Sequence, residues 1–181
     1  MRSPIFFSYP KPWTSTQDGF IGRVSSYLKQ RGLEPRTLGI TDYDTDTPLK
    51  AIRRLMLESN GLVTVATARI HVDRATAMLR TVDGVLREEP LVDCWLTTPW
   101  AHIEAAMAYQ LGLPILIFRE EAVLADGLLE KGIVGLSMPA IDVEGDLDAY
   151  FASAAWTQPL GQWEGRVRRV IERKGEPPQL Y

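Results

Sequence analysis

Alternating strand and helix signals predict a three-layer α/β fold: a five-stranded parallel sheet with helices on both faces and a helical C-terminal tail. Three observations carry this. Apolar runs at 5–7, 62–66 and 115–118 are short and unbroken, as in strands buried on both sides. Amphipathic stretches with start and stop residues lie between them. At 181 residues, the chain fits one domain with a full core. That domain spans 1–181, with a core over about 4–138, an insertion at 68–97 and a helical extension at 144–175.

Ile5-Phe6-Phe7, ending at Ser8-Tyr9-Pro10, is the first strand, and Pro10, Pro12 and Trp13 make a loop. Thr14 to Arg31 is a helix with Phe20, Ile21, Val24, Tyr27 and Leu28 at helical spacing and Gly32 as its stop. Leu33 to Ile40 reads as a weaker strand. An acidic loop at 41–47 follows, with Thr47 and Pro48 placed to start a helix carried by Leu49, Ile52, Leu55 and Met56. Leu62 to Ala66 is the clearest strand, β-branched and apolar. In the insertion, His71 to Arg80 has the mixed charge of a short helix, Asp83-Gly84 marks a turn, and Glu88-Glu89-Pro90 reads as exposed loop. Beyond it, Pro99 to Leu111 is a helix, with Thr98 to accept from an orphan amide and Gly112 past its end. Ile115 to Phe118 is a strand, Glu121 to Lys131 a helix, and 133–136 a short strand. The tail holds a helix around 146–155 and another with Trp163, Val167, Val170 and Ile171 on one face; Pro177-Pro178 ends the order.

Composition narrows the function classes. The net charge of −3 provides no basic face for nucleic acid. The Arg166–Lys174 cluster reads as a solvated helix face beside Glu164 and Glu172. A single cysteine, Cys94, excludes an intramolecular disulfide and fits a reducing compartment. No run has transmembrane length and the start lacks a secretory pattern, so a cytoplasmic protein without membrane contact is expected. No phosphate-binding glycine loop and no G-x-S-x-G elbow occurs. Two histidines are too few for most metal sites, and the Asp42/Asp44/Asp46 loop lacks the glycine and terminal glutamate of a calcium loop, so no metal and no cofactor are expected.

What remains is carboxylate chemistry. At 100° per residue, Trp100, Ile103, Met107 and Leu111 fall in one apolar stripe roughly 80° wide, and Glu104 lies at its border, about 40° from Trp100. His102 and Tyr109 point to the far side. An inward carboxylate is costly unless it is paired, protonated or at work. Pairing with Arg53 or Arg54 is the simpler alternative, and pattern alone favours it. The working alternative is cleavage of an N-glycosidic bond, whose cationic transition state a carboxylate stabilises or attacks. Ligands in such sheets sit beyond the carboxyl ends of the strands. That rim gathers Ser8, Tyr9, the 41–47 loop, Thr67 and the Trp100/Glu104 helix. Tyr9 and Trp13 are candidates to stack on rings or hold hydroxyls.

Three segments resemble the TIR (Toll/interleukin receptor) domain, especially its bacterial TIR-like members. Ile5-Phe6-Phe7-Ser8-Tyr9 is similar to that family's "(V/I)FISY" opening strand, and Leu49 to Val65 to its "I..AI..S..vIvvlS" segment. Pro99-Trp100-Ala101-His102-Ile103-Glu104 is similar to "S-x-W-C-x-x-E". Ala101 stands where cysteine is usual, and 68–97 is longer than in the family. A related resemblance, through Tyr109 to Ile115, runs to nucleoside 2-deoxyribosyltransferase-like proteins. The resemblance implies a flavodoxin-like fold and an NAD glycohydrolase or cyclase in bacterial defence or nucleotide signalling. NAD would be substrate, not cofactor, and activity would come with assembly into a homo-oligomer or with a partner protein. Glu104 would be the essential carboxylate, Ser8 and Tyr9 would line the nucleotide side, Trp100 would wall the pocket, and Asp42 or Asp44 would touch ribose hydroxyls. The rivals are an enzyme acting on other nucleosides or nucleotides and a non-catalytic interaction or nucleotide-sensing module.

Overall fold

The computed structural model describes residues 2–80 and 83–174; Pro177-Pro178 lies outside them. In chain order the elements are β1 (Ser3–Ser8), α1 (Ser15–Gln30), β2 (Leu33–Arg36), α2 (Pro48–Glu58), β3 (Leu62–Ala66), β4 (Ile70–Arg80), β5 (Leu86–Leu96), α3 (Pro99–Gln110), β6 (Ile115–Arg119), β7 (Leu136–Ser137), α4 (Leu147–Ala152) and α5 (Ala154–Glu172). Five strands form a parallel sheet in the order β2-β1-β3-β6-β7. After β2 the chain crosses back over β1 to place β3, so strand order reverses between β1 and β3. That reversal opens a crevice at their carboxyl ends.

Side-chain alternation divides the core between the two faces. Ile5, Phe7, Val63, Val65, Leu116 and Phe118 meet Phe20, Val24 and Leu28 of α1 and Trp156, Leu160, Trp163 and Val167 of α5. Phe6, Leu62, Ala66, Ile115 and Ile117 meet Ile52, Leu55 and Met56 of α2 and Ala105 and Ala108 of α3. The tail is thus part of the core: Trp163 is fully buried and its indole N–H donates to the Pro114 carbonyl at 3.1 Å. No helix of the described residues is long and apolar enough to cross a membrane.

The insertion departs from expectation. His71 to Arg80 is no helix, and Glu88-Glu89-Pro90 is no loop. They belong to β4 and β5, eleven residues each, paired antiparallel in a separate two-stranded sheet. Each residue from Arg74 to Arg80 has a partner in β5, and that ladder overrides the helical tendency of Ala75 and Ala77. Both strands of a two-stranded ribbon are edges, which is where proline is accepted, so Pro90 is no obstacle. The Asp83-Gly84 turn is present, with Gly84 at φ +83°.

Other differences have equally local causes. Glu121 to Lys131 forms only a 3₁₀ turn over Gly127–Leu129. Its backbone is used elsewhere: Glu121 N–H donates to Ile141, Leu124 N–H donates to Trp95, and the Ala122 carbonyl accepts from Trp95. β2 stops at Arg36 because the Thr37 carbonyl accepts from Ile40, Thr41 and Asp42 in a turn. The strand expected at 133–136 is Leu136–Ser137. Leu49 is exposed, and Ala51 takes its place on the buried face of α2.

Candidate active site

The first site residue is fixed by the sheet. Ser8 continues the Phe6 side of β1, so its side chain turns toward the α2/α3 layer, while Tyr9 follows Phe7, its ring 4.9 Å from that of Phe7. Ser8 pairs with Thr64 of β3 and is 6 % exposed.

The second comes from α3. Pro99 opens this helix, Thr98 makes no side-chain cap bond, and Gly112 at φ +69° follows its end. The apolar stripe expected to pack inward does so only in its second half, where Met107 and Leu111 are half-buried against the core. Trp100 and Ile103 are exposed, and the buried residues are Ala101, Glu104, Ala105 and Ala108. Small side chains let a helix lie close to a sheet, and larger ones on that face would hold it off. Glu104 therefore faces inward as expected, among Ala101, Ala105 and Ala108, while Trp100 and Ile103 of the expected stripe turn outward. His102 is half-buried against the turn at Gly127 instead of pointing to solvent.

Helix and strand meet at one contact, where the Ser8 hydroxyl donates to Glu104 Oε2. Among the described residues no ion pair reaches Glu104; Arg54 is engaged by Asp44 and Glu58, and Arg53 is exposed. Glu104 is only 8 % exposed. Burial pushes its pKa up to about 7, against the opposing effect of the Ser8 hydrogen bond. A carboxyl poised there exchanges its proton near neutrality.

Above it opens a cleft of about 250 Å³, lined by Ser8, Tyr9, Thr37, Trp100 and Glu104, with Lys11 and Arg69 also in its wall. Burial raises the Tyr9 pKa, so its hydroxyl is neutral and able to donate. Trp100 is 42 % exposed, a wall with one free side.

The structure thus brings Ser8, Tyr9, Trp100 and Glu104 together and leaves four other candidates outside the cleft. The Trp13 indole N–H donates to the Ala68 carbonyl at 2.8 Å, and its ring stacks on Trp95 at 5.6 Å. Asp42 is held by the Arg36 guanidinium, which lowers its pKa. Asp44 accepts from Asp46 N–H and Arg54, which lower its pKa, and faces a separate depression with Tyr43 and Thr45. Thr67 is buried, and its hydroxyl lacks a hydrogen-bond partner among the described residues. Sequence reasoning missed Lys11, Thr37 and Arg69. Lys11 and Arg69 lie two and three residues beyond Tyr9 and Ala66, so following the chain further past each strand end would have reached them.

No family model matches the chain, and no curated protein matches it in sequence. Solved structures similar to it include the Clostridium botulinum CMP N-glycosidase BcmB, at 14 % identity over 75 % of this chain and 84 % of that one, with a TM-score of 0.44. The TIR domains of the activated Roq1 resistosome, which directly recognises the pathogen effector XopQ, are similar at 10 % identity over 96 % and 86 % (TM-score 0.41). The 2-desoxiribosyltransferase of Leishmania mexicana is similar at 11 % identity over 82 % and 96 % (TM-score 0.41).

Proposed function

We propose that this protein cleaves the nicotinamide N-glycosidic bond of NAD, with Glu104 as the essential carboxylate. The observation that carries this reading is the Glu104 carboxyl itself. It is buried at the foot of a cleft, held by Ser8 and unpaired with any guanidinium among the described residues. As the bond from C1′ to the ring nitrogen breaks, its electron pair goes to nicotinamide and neutralises the pyridinium. Positive charge then develops on the ribose, and ionised Glu104 stabilises it or attacks C1′. Water adds to C1′ and loses a proton, giving nicotinamide, ADP-ribose and H⁺; attack by a group of the substrate itself gives a cyclic product. Trp100 and Tyr9 are placed to hold the base and a ribose hydroxyl, and Ser8 keeps the carboxylate aimed.

Nicotinamide leaves as a neutral molecule and needs no proton, so the working form of Glu104 is the anion. Activity in kcat/KM accordingly rises with pH through about 7 and then levels. A second reading draws on the same raised pKa: protonated Glu104 donates to a neutral leaving base, and the chain is a nucleoside or nucleotide N-glycosidase. Its activity falls with pH across the same range.

The test is incubation of purified protein with NAD and with a nucleoside panel, products separated by chromatography, at pH 5.5 to 8.5. Nicotinamide release that rises with pH and is abolished in Glu104→Gln is expected. Cleavage of neutral-base nucleosides but not NAD moves the assignment to the second reading, and undiminished NAD turnover in Glu104→Gln overturns both.

A further inference from the structure

We propose that Lys11 and Arg69 form a phosphate-binding rim on this cleft, so that a phosphorylated nucleoside is selected over its unphosphorylated counterpart. The proposal rests on the reading of Glu104 as the carboxylate facing the sugar, and it assigns the charge recognition to two exposed cations in the wall of the same cleft.

Three observations support it. Lys11 and Arg69 both line the cleft that ends at Glu104. Neither forms an ion pair among the described residues, whereas Arg31, Arg36, Arg54 and Arg168 all do. Among the described residues lining this cleft the one carboxyl is Glu104, already hydrogen-bonded by Ser8, so the two exposed cations have no other acid in the lining. An anion entering the cleft meets a guanidinium fork and an ammonium that need not break another pair first.

The support under Arg69 is built to hold it still. The Ala68 carbonyl accepts from the Trp13 indole at 2.8 Å and from Gln17 Nε2 at 3.3 Å, and Ala68 N–H donates to Glu120 Oε2 at 2.8 Å. Arg69 N–H donates to the Leu96 carbonyl at 3.0 Å, closing the base of the β4–β5 ribbon. Gln17 is 1 % exposed and bonds Glu120 in turn. Four side-chain and backbone bonds on two consecutive residues fix where the guanidinium starts, which lowers the ordering cost of binding.

The test compares nicotinamide mononucleotide with nicotinamide riboside, which differ by the phosphate alone. In the wild type, kcat/KM favours the phosphorylated compound by about tenfold or more, chiefly through KM. In Lys11→Gln/Arg69→Gln that ratio falls toward one, and Arg69→Lys recovers part of it. A ratio near one in the wild type, or one unchanged in the double variant, overturns the proposal. Binding of inorganic pyrophosphate, followed by tryptophan fluorescence, decides the matter separately from turnover. Affinity that weakens at least about tenfold in the double variant and falls steeply with salt upholds the rim even if no substrate is cleaved. Equal binding by wild type and double variant rejects it even if Glu104 proves catalytic.

Discussion

The two faces of the sheet are packed by opposite means. On the α1/α5 face, Phe20, Phe118, Trp156 and Trp163 fill the layer, with Phe118 and Trp156 stacked at 5.4 Å. On the α2/α3 face, alanines at 101, 105 and 108 bring the helix down on the strands, and a carboxylate lies among them. The first face buries large aromatic rings, each a large stabilising contribution. The second spends its close approach on holding Glu104 over Ser8, and accepts the cost of a desolvated acid. The buried acid thus lies on the face where α3 is packed through small side chains, not on the face filled by aromatic rings.

The comparison is broken most severely at Glu104. Glu104→Gln is expected to lower NAD turnover at least about 10³-fold, measured as nicotinamide release. The same substitution should stabilise the fold at high pH. Between the ordinary carboxyl value of 4.5 and about 7, the native state keeps a proton that the unfolded chain has lost. Wild-type stability therefore falls by about 1.4 kcal/mol per pH unit over that window, about 3 kcal/mol in all, relative to the glutamine variant. Urea unfolding of both proteins at pH 4.5 and pH 8 checks the difference, which should vanish at the lower value.

Trp163→Ala attacks the other face. It should cost about 3–5 kcal/mol in unfolding free energy while leaving the pH midpoint of turnover in place. Ala105→Leu tests whether close approach matters: overpacking at this fully buried position costs about 1–3 kcal/mol and lifts α3 from the sheet, so turnover should fall beyond what unfolding explains. The mildest change is Ser8→Ala. Losing the hydroxyl that stabilises the anion moves the Glu104 midpoint upward and lowers kcat/KM at pH 7 by about tenfold, seen in a pH–rate profile.

The sheet was legible because its strands announce themselves. Ile5-Phe6-Phe7, Leu62 to Ala66 and Ile115 to Phe118 are apolar runs that only a layer covered on both sides accommodates. The ribbon at 70–96 was not, because its strands bury almost nothing and so carry no apolar periodicity. Glu121 to Lys131 misled for a different reason: long-range backbone bonds to Trp95 and Ile141 outweigh local helical preference there. On α3 the inward direction of Glu104 was legible, but its neighbours were not. Hydrophobicity ranks Trp100 and Met107 above Ala101 and Ala105, whereas the space between helix and sheet ranks them the other way. Asp42 and Asp44 were drawn into the site by the rim rule, yet Arg36 and Arg54 lie closer and hold them.

The dependence of the aromatic face on α5 has a consequence for synthesis. Strands β1 and β3 are made early, but Trp156, Leu160, Trp163 and Val167, which help to cover them, lie far later in the chain. Until α5 is made, Ile5, Phe7, Val63 and Val65 have only part of their cover on this face, including Phe20, Val24 and Leu28 of α1. A chain that stops short of residue 156 therefore lacks Trp156, Leu160, Trp163 and Val167, and exposes the apolar surface that they cover.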